Sequence, residues 1–228
     1  MRDVKRDGGK DDRQQRRTRL ARAAVVEAAR RLFLERGYAA TTMEAISDAS
    51  GTPPATLYRL FSSKLGILKA LLDVAAVGDD EVVAMGDRPY VRALLEDPDP
   101  RRQLSGFAAL SRDVMSRLAP VQQILIGAAG SDPDAAVLLS EQTRQRQQGQ
   151  GRIARTLARA GALRSKMNER DAADIVHALM SPEVFRLLVT DRQWSPEQYE
   201  RWIAAVLIDQ LLPPLEAPSS HRSRGGAI

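Results

Sequence analysis

Apolar residues recur along this chain at intervals of three and four. No stretch shows the strict alternation that marks a strand facing a core. A period near 3.6 is the signature of helix, so the pattern predicts an all-α fold. The first strong stripe is Val25, Ala28, Ala29, Leu32 and Phe33, with Arg and Glu opposite, and predicts a helix over about 18–36. Gly37 stands just past its end, where the left-handed conformation favours glycine. A short helix follows over 43–50. Thr41-Thr42-Met43-Glu44 reads as a capping box with Thr41 at the N-cap and Glu44 at N3, and Ile46 and Ala49 face inward. After the turn Gly51-Thr52-Pro53, a third helix is expected over 54–61, with Pro54 in the first turn, where no amide donor is required. Ser62 or Ser63 caps a fourth helix to about residue 77, apolar at Ile67, Leu68, Leu71, Leu72 and Ala75.

Longer helices are expected beyond, near 88–96, 100–118, 120–129, 133–161, 169–191 and 196–212. They are separated by Asp97-Pro98-Asp99-Pro100, Ser131-Asp132-Pro133 and Trp194-Ser195-Pro196. Pro182 falls inside one of them and is expected to kink it. Gln142–Gln150, rich in Gln and Arg, reads as a solvated helix face. The organisation expected is a disordered basic arm at 1–15, a three-helix domain at 16–62, a larger helical domain at 63–215 and a disordered tail at 216–228.

Charge sharpens this division. The net charge is +5, yet residues 1–72 carry 15 Lys/Arg against 8 Asp/Glu, and the remainder is slightly acidic. Positive charge gathered at one end either attracts a polyanion or keeps a tail solvated. Cysteine is absent, and the two histidines, His177 and His221, are far apart. No metal-ligand spacing, Ser/His/Asp order, phosphate loop or paired carboxylate emerges, so neither an enzyme nor a cofactor is expected. No apolar run is long enough to span a bilayer and the N-terminus is charged throughout, so a cytoplasmic protein with no membrane partner is expected.

Two short helices joined by a glycine-containing turn form a helix-turn-helix, whose second helix enters the major groove. In 54–61, Leu57 and Phe61 are spaced to face inward. Thr56, Tyr58 and Arg59 are left outward as hydroxyl and guanidinium groups suited to base edges and phosphates. Lys64 sits in the next helix's first turn, disfavoured there by the dipole unless helix start and lysine together hold a phosphate. The run Phe33-x-x-x-Gly37-Tyr38-x-x-Thr41-Thr42, Ile46, Gly51, Thr56-Leu57-Tyr58-Arg59-x-Phe61-x-x-Lys64 resembles the DNA-binding domain of TetR-family transcriptional regulators over about 50 residues.

The resemblance implies a homodimer that binds a palindromic double-stranded DNA operator. It implies a repressor released when a small molecule enters the C-terminal domain. It places Thr42, Pro54, Ala55, Thr56, Tyr58, Arg59 and Lys64 at DNA-contacting positions. Pro53 and Leu60 depart from the family's usual phosphate-contacting residues, at about 1 kcal/mol per lost hydrogen bond. Thr52 is expected to take over part of the cap that Pro53 cannot provide, and Arg13, Arg16, Arg17 and Arg19 of the arm to supply compensating contacts. Phe107, Met115, Ile124, His177 and Phe185 are candidates for a largely apolar effector; each has an alternative reading as core, and His177 as a core or interface histidine. Apolar residues on the last two helices, Leu179, Phe185, Leu188, Trp202, Val206, Leu207 and Leu211 among them, fit the dimeric four-helix bundle that the resemblance implies. The competing reading is a helical protein-interaction module without specific DNA binding.

Overall fold

A computed structural model describes residues 8–78 and 87–214, and all regular structure within them is helical. The elements are α1 (Gly8–Arg36), α2 (Met43–Ser50), α3 (Pro54–Phe61), α4 (Lys64–Val77), α5 (Pro89–Glu96), α6 (Pro100–Ala129), α7 (Pro133–Arg159), α8 (Glu169–Leu179), α9 (Pro182–Phe185), a π-helical segment Arg186–Asp191, and α10 (Pro196–Leu211). α1–α3 form an N-terminal helix-turn-helix unit. α4 leads from it into a larger helical assembly centred on α6, which packs against α1, α4, α5, α7, α9 and α10. One apolar core runs through the whole chain, from Val25 and Phe33 on α1 to Leu207 and Leu211 on α10. It is built mainly from aliphatic side chains, as an aromatic content of 4% requires.

Local chemistry accounts for the boundaries. Gly37, with φ +81°, ends α1, and its N–H donates to Phe33 O at 3.0 Å. Gly51 is left-handed at the end of α2. Ser63 caps α4 by accepting from Gly66 N, Asp132 caps α7, Asn168 caps α8 and Ser195 caps α10. Proline stands in the first turn of α3, α5, α6, α7, α9 and α10, where its missing donor costs nothing.

Several expectations are corrected. α1 starts at Gly8, so half of the supposed arm is helix; residues 1–7 and the expected tail at 216–228 lie outside the described residues. The N-cap of α2 is Thr42, accepting from Ala45 N at 3.1 Å, which moves N3 off Glu44 and removes the capping box. Thr41 is buried instead and donates to Gly37 O and Leu32 O. Ala49 is exposed. The helices expected at 100–118 and 120–129 are one 30-residue helix running through Pro120. The one expected at 169–191 is broken: Ser181 caps α9 and Pro182 begins it, so the proline starts a helix rather than kinking one.

Candidate nucleic-acid interface and internal cavity

α3 is anchored by one face and open on the other. Leu57 is fully buried and Phe61 nearly so, while Pro54, Ala55, Tyr58 and Arg59 are exposed and Thr56 is half-buried. Tyr58 leaves 47% of its surface in solvent, which settles that it is no core aromatic. The turn before α3 is fixed from inside. The Ser47 hydroxyl, buried, donates to Thr52 O at 2.7 Å, and Thr52 N donates to Ser47 O and to the Ser50 hydroxyl. Thr52 is thereby held inward and no side chain caps α3, so the expected substitution for Pro53 does not occur. Leu60 is half-buried and packs on the core.

Lys64 has a use within the fold. Its ammonium donates to Tyr38 O and Thr41 O at 2.8 Å each and to Ala39 O at 3.4 Å, and lies 4.3 Å from the centre of the Tyr38 ring. It ties the start of α4 to the α1–α2 loop that carries Thr42, which explains a lysine where the dipole disfavours one. Burial pushes the Lys64 amine down, with nearby Asp132 opposing the shift. Burial, with Asp132 adding to it, pushes the Tyr38 phenol up to about 12. Tyr38 also stacks at a tilt on Phe33. Gly66 completes this corner: a Cβ there would overlap the Phe61 carbonyl oxygen, so α4 can follow α3 this closely only with glycine. Arg22 lies over the Phe61 ring from α1, and Arg13, Arg16, Arg17 and Arg19 are exposed along the N-terminal turns of α1.

A second feature lies between α4, α5, α6 and α7. A cavity of about 490 Å³ is lined on its apolar side by Ala76, Val91, Phe107, Val114, Met115 and Leu118. Its other side is the run expected to be solvated: Gln142, Gln145, Arg146, Gly149 and Gln150. Behind this wall, His177 Nδ1 lies 3.0 Å from Gln150 Oε1 and His177 Nε2 lies 3.3 Å from Arg146 Nη2. Gln150 Nε2 donates to Met180 O, and Arg146 Nη1 donates to His177 O at 3.1 Å. Together these bonds fix the imidazole as neutral, with its proton on Nδ1 donated to Gln150 and Nε2 accepting from Arg146. Burial, then the Arg146 charge, push the His177 imidazole below its ordinary value, Asp174 and Glu183 opposing.

Of the apolar candidates, Phe107 and Met115 line the cavity. Ile124 is core, and Phe185 is buried against Tyr199, beside a separate shallow pocket under α9. His177 reaches the cavity only through Arg146 and Gln150. Those two residues were missed, although a signal existed. Gln150, Ile153, Ala154 and Leu157 form the buried stripe of α7, and stepping back four residues from Gln150 reaches Arg146. On the terminal helices, Phe185, Leu207 and Leu211 are core, whereas Leu179, Leu188, Trp202 and Val206 stay half-buried at the surface and Leu187 is 49% exposed.

Residues 25–71 match the family described as bacterial regulatory proteins, tetR family. The chain is 30% identical over 152 residues to the HTH-type transcriptional regulator TcmR of Streptomyces glaucescens, covering 63% of this chain and 62% of that one. It therefore spans less than two thirds of TcmR. Among solved structures, NalD of Pseudomonas aeruginosa, the secondary repressor of the MexAB-OprM multidrug efflux pump, superposes with a TM-score of 0.67 over 86% of this chain and 98% of its own at 20% identity. SmeT, in complex with triclosan, superposes with a TM-score of 0.66 over 85% of this chain and 92% of its own at 17% identity. These two likenesses are of fold.

Proposed function

We propose that this chain is a TetR-family, sequence-specific DNA-binding transcriptional repressor, released from its operator by a small molecule. The observation that carries this reading is the outer face of α3. An exposed tyrosine and arginine, with small residues before them, stand on a short helix whose opposite face is locked into the core. Such a face gives up nothing structural when it meets DNA, and its groups match base edges and phosphates. Pro54, Ala55, Thr56, Tyr58 and Arg59 are assigned to the groove and its borders. Thr42, exposed at the start of α2, is assigned to phosphate. Lys64 positions it by holding the carbonyl of Thr41.

The effector is assigned to the cavity beneath α4, whose lining is largely apolar; triclosan, bound by SmeT, is an apolar phenol. The protein is proposed to act in the cytoplasm as a homodimer on a palindromic site. Its partner surface is assigned to the half-buried Leu179, Leu188, Trp202 and Val206 on the terminal helices.

Selection of bound fragments from genomic DNA, followed by gel retardation, tests the reading. Specific retention is expected for the wild type and lost in Tyr58→Ala/Arg59→Ala, whose melting temperature should be unchanged because neither side chain is buried. A wild type that retains no fragment specifically would leave a helical interaction module as the better account.

A further inference from the structure

The cavity has one feature that an apolar ligand does not explain. Arg146 stands in its wall, half-buried, and no carboxylate among the described residues lies within ion-pair distance of it. Burial pushes its guanidinium down, and Glu183 offsets this only at longer range. A cation withdrawn from water without a counter-charge is costly and persists where something else supplies the charge. The hydrogen-bond geometry shows what is left over. Nη1 is committed to His177 O and Gln150 Oε1, and Nη2 gives one hydrogen to His177 Nε2. The Nε hydrogen and the second Nη2 hydrogen meet no acceptor among the described residues. Two adjacent N–H groups on one edge of a guanidinium are the fork that receives a carboxylate through both oxygens. The network behind Arg146, closed by Gln150 on Met180 O, holds that fork in place before any ligand arrives.

We infer that the effector is an amphiphilic acid: an apolar body seated on Phe107, Val114, Met115 and Leu118, with one carboxylate or equally acidic group paired to Arg146. This rests on reading the cavity as the effector site. A volume of about 490 Å³ suits a medium-chain or bicyclic aromatic acid.

The test uses the full-length chain and matched probes: decanoate against 1-decanol, and 2-naphthoate against 2-naphthalenemethanol, titrated by calorimetry without DNA. Each acid is expected to bind about tenfold more tightly than its alcohol, the scale of a charge-assisted hydrogen bond. Arg146→Met should bring acid and alcohol to parity while alcohol binding holds, and Arg146→Lys should restore part of the preference. Parity in the wild type, no measurable binding of either acid, or a preference that survives Arg146→Met would each overturn the inference. If Arg146→Met does not fold, the wild-type pairs and Arg146→Lys decide. Acid binding that depends on Arg146 but leaves DNA retention unchanged would keep the anion site and remove the cavity's regulatory reading.

Discussion

Single residues in this protein carry two kinds of burden. Lys64 illustrates one: a charge placed at a helix start, where a phosphate would suit it, donates to three carbonyls of its own chain. Sequence alone does not distinguish these uses, because the acceptors lie more than twenty residues away. His177 illustrates the other, and it makes the protein's stability depend on pH. The folded state disfavours the imidazolium, through burial and the Arg146 charge, so below its ordinary value of 6.5 the folded chain binds fewer protons than the unfolded chain. Stability is then complete above that value and declines as the pH falls through it. We expect the melting temperature to drop on acidification below 6.5 and His177→Gln to flatten the drop; a melting temperature equally pH-dependent in both proteins would contradict this assignment.

At the scale of elements, the corner between α3 and α4 is the most constrained. Gly66→Ala must displace the Phe61 carbonyl, and overpacking of this kind costs about 1–3 kcal/mol. Thermal melting and DNA retention should both suffer, since α3 shifts with its last carbonyl; unchanged retention would separate the corner from recognition. The lengthened α1 invites a second test. Removing residues 1–16 strips Arg13 and Arg16 from an exposed helical extension, and should weaken DNA binding and flatten its dependence on salt. An identical salt slope would show that these arginines only solvate the helix.

The elements that sequence made legible are those whose ends are written locally: Gly37 and Gly51 close α1 and α2, and Pro54 and Ser63 open α3 and α4, where the pattern predicts, whereas the start of α1 carries no such mark and lies ten residues earlier than expected. Pro120 misled because a helix can run through a proline where the carbonyl it frees reaches water. Pro120 and Ser116, the residue four before it, are both exposed, so the carbonyl of Ser116 stays on the solvent side and α6 continues. The exposed face of α3 proposed to meet DNA was readable from that helix's inward spacing. The polar end of the cavity was not, because Arg146 becomes a wall only when α8, 31 residues on, brings His177 behind it.

For the whole molecule, the proposed function requires a cavity in one half to reach α3 in the other. Filling the cavity provides one measurement. A Cβ at Gly149 would meet open space, so Gly149→Leu should fold normally, keep DNA retention and lose response to any ligand that acts there; a variant that still responds fully would place the effector elsewhere. The connection itself is α4, 14 residues long. Near one end it is tied to the α1–α2 loop through Lys64; near the other, Arg117 of α6 donates to Ala75 O, beside Ala76 in the cavity wall. In mechanical terms α4 is a lever with both ends gripped. Turning a helix of roughly 21 Å by roughly 3° about one end carries the other through roughly 1 Å. A hydrogen bond to a base edge tolerates only a few tenths of that, so a ligand needs to move Ala76 very little to spoil the aim of α3.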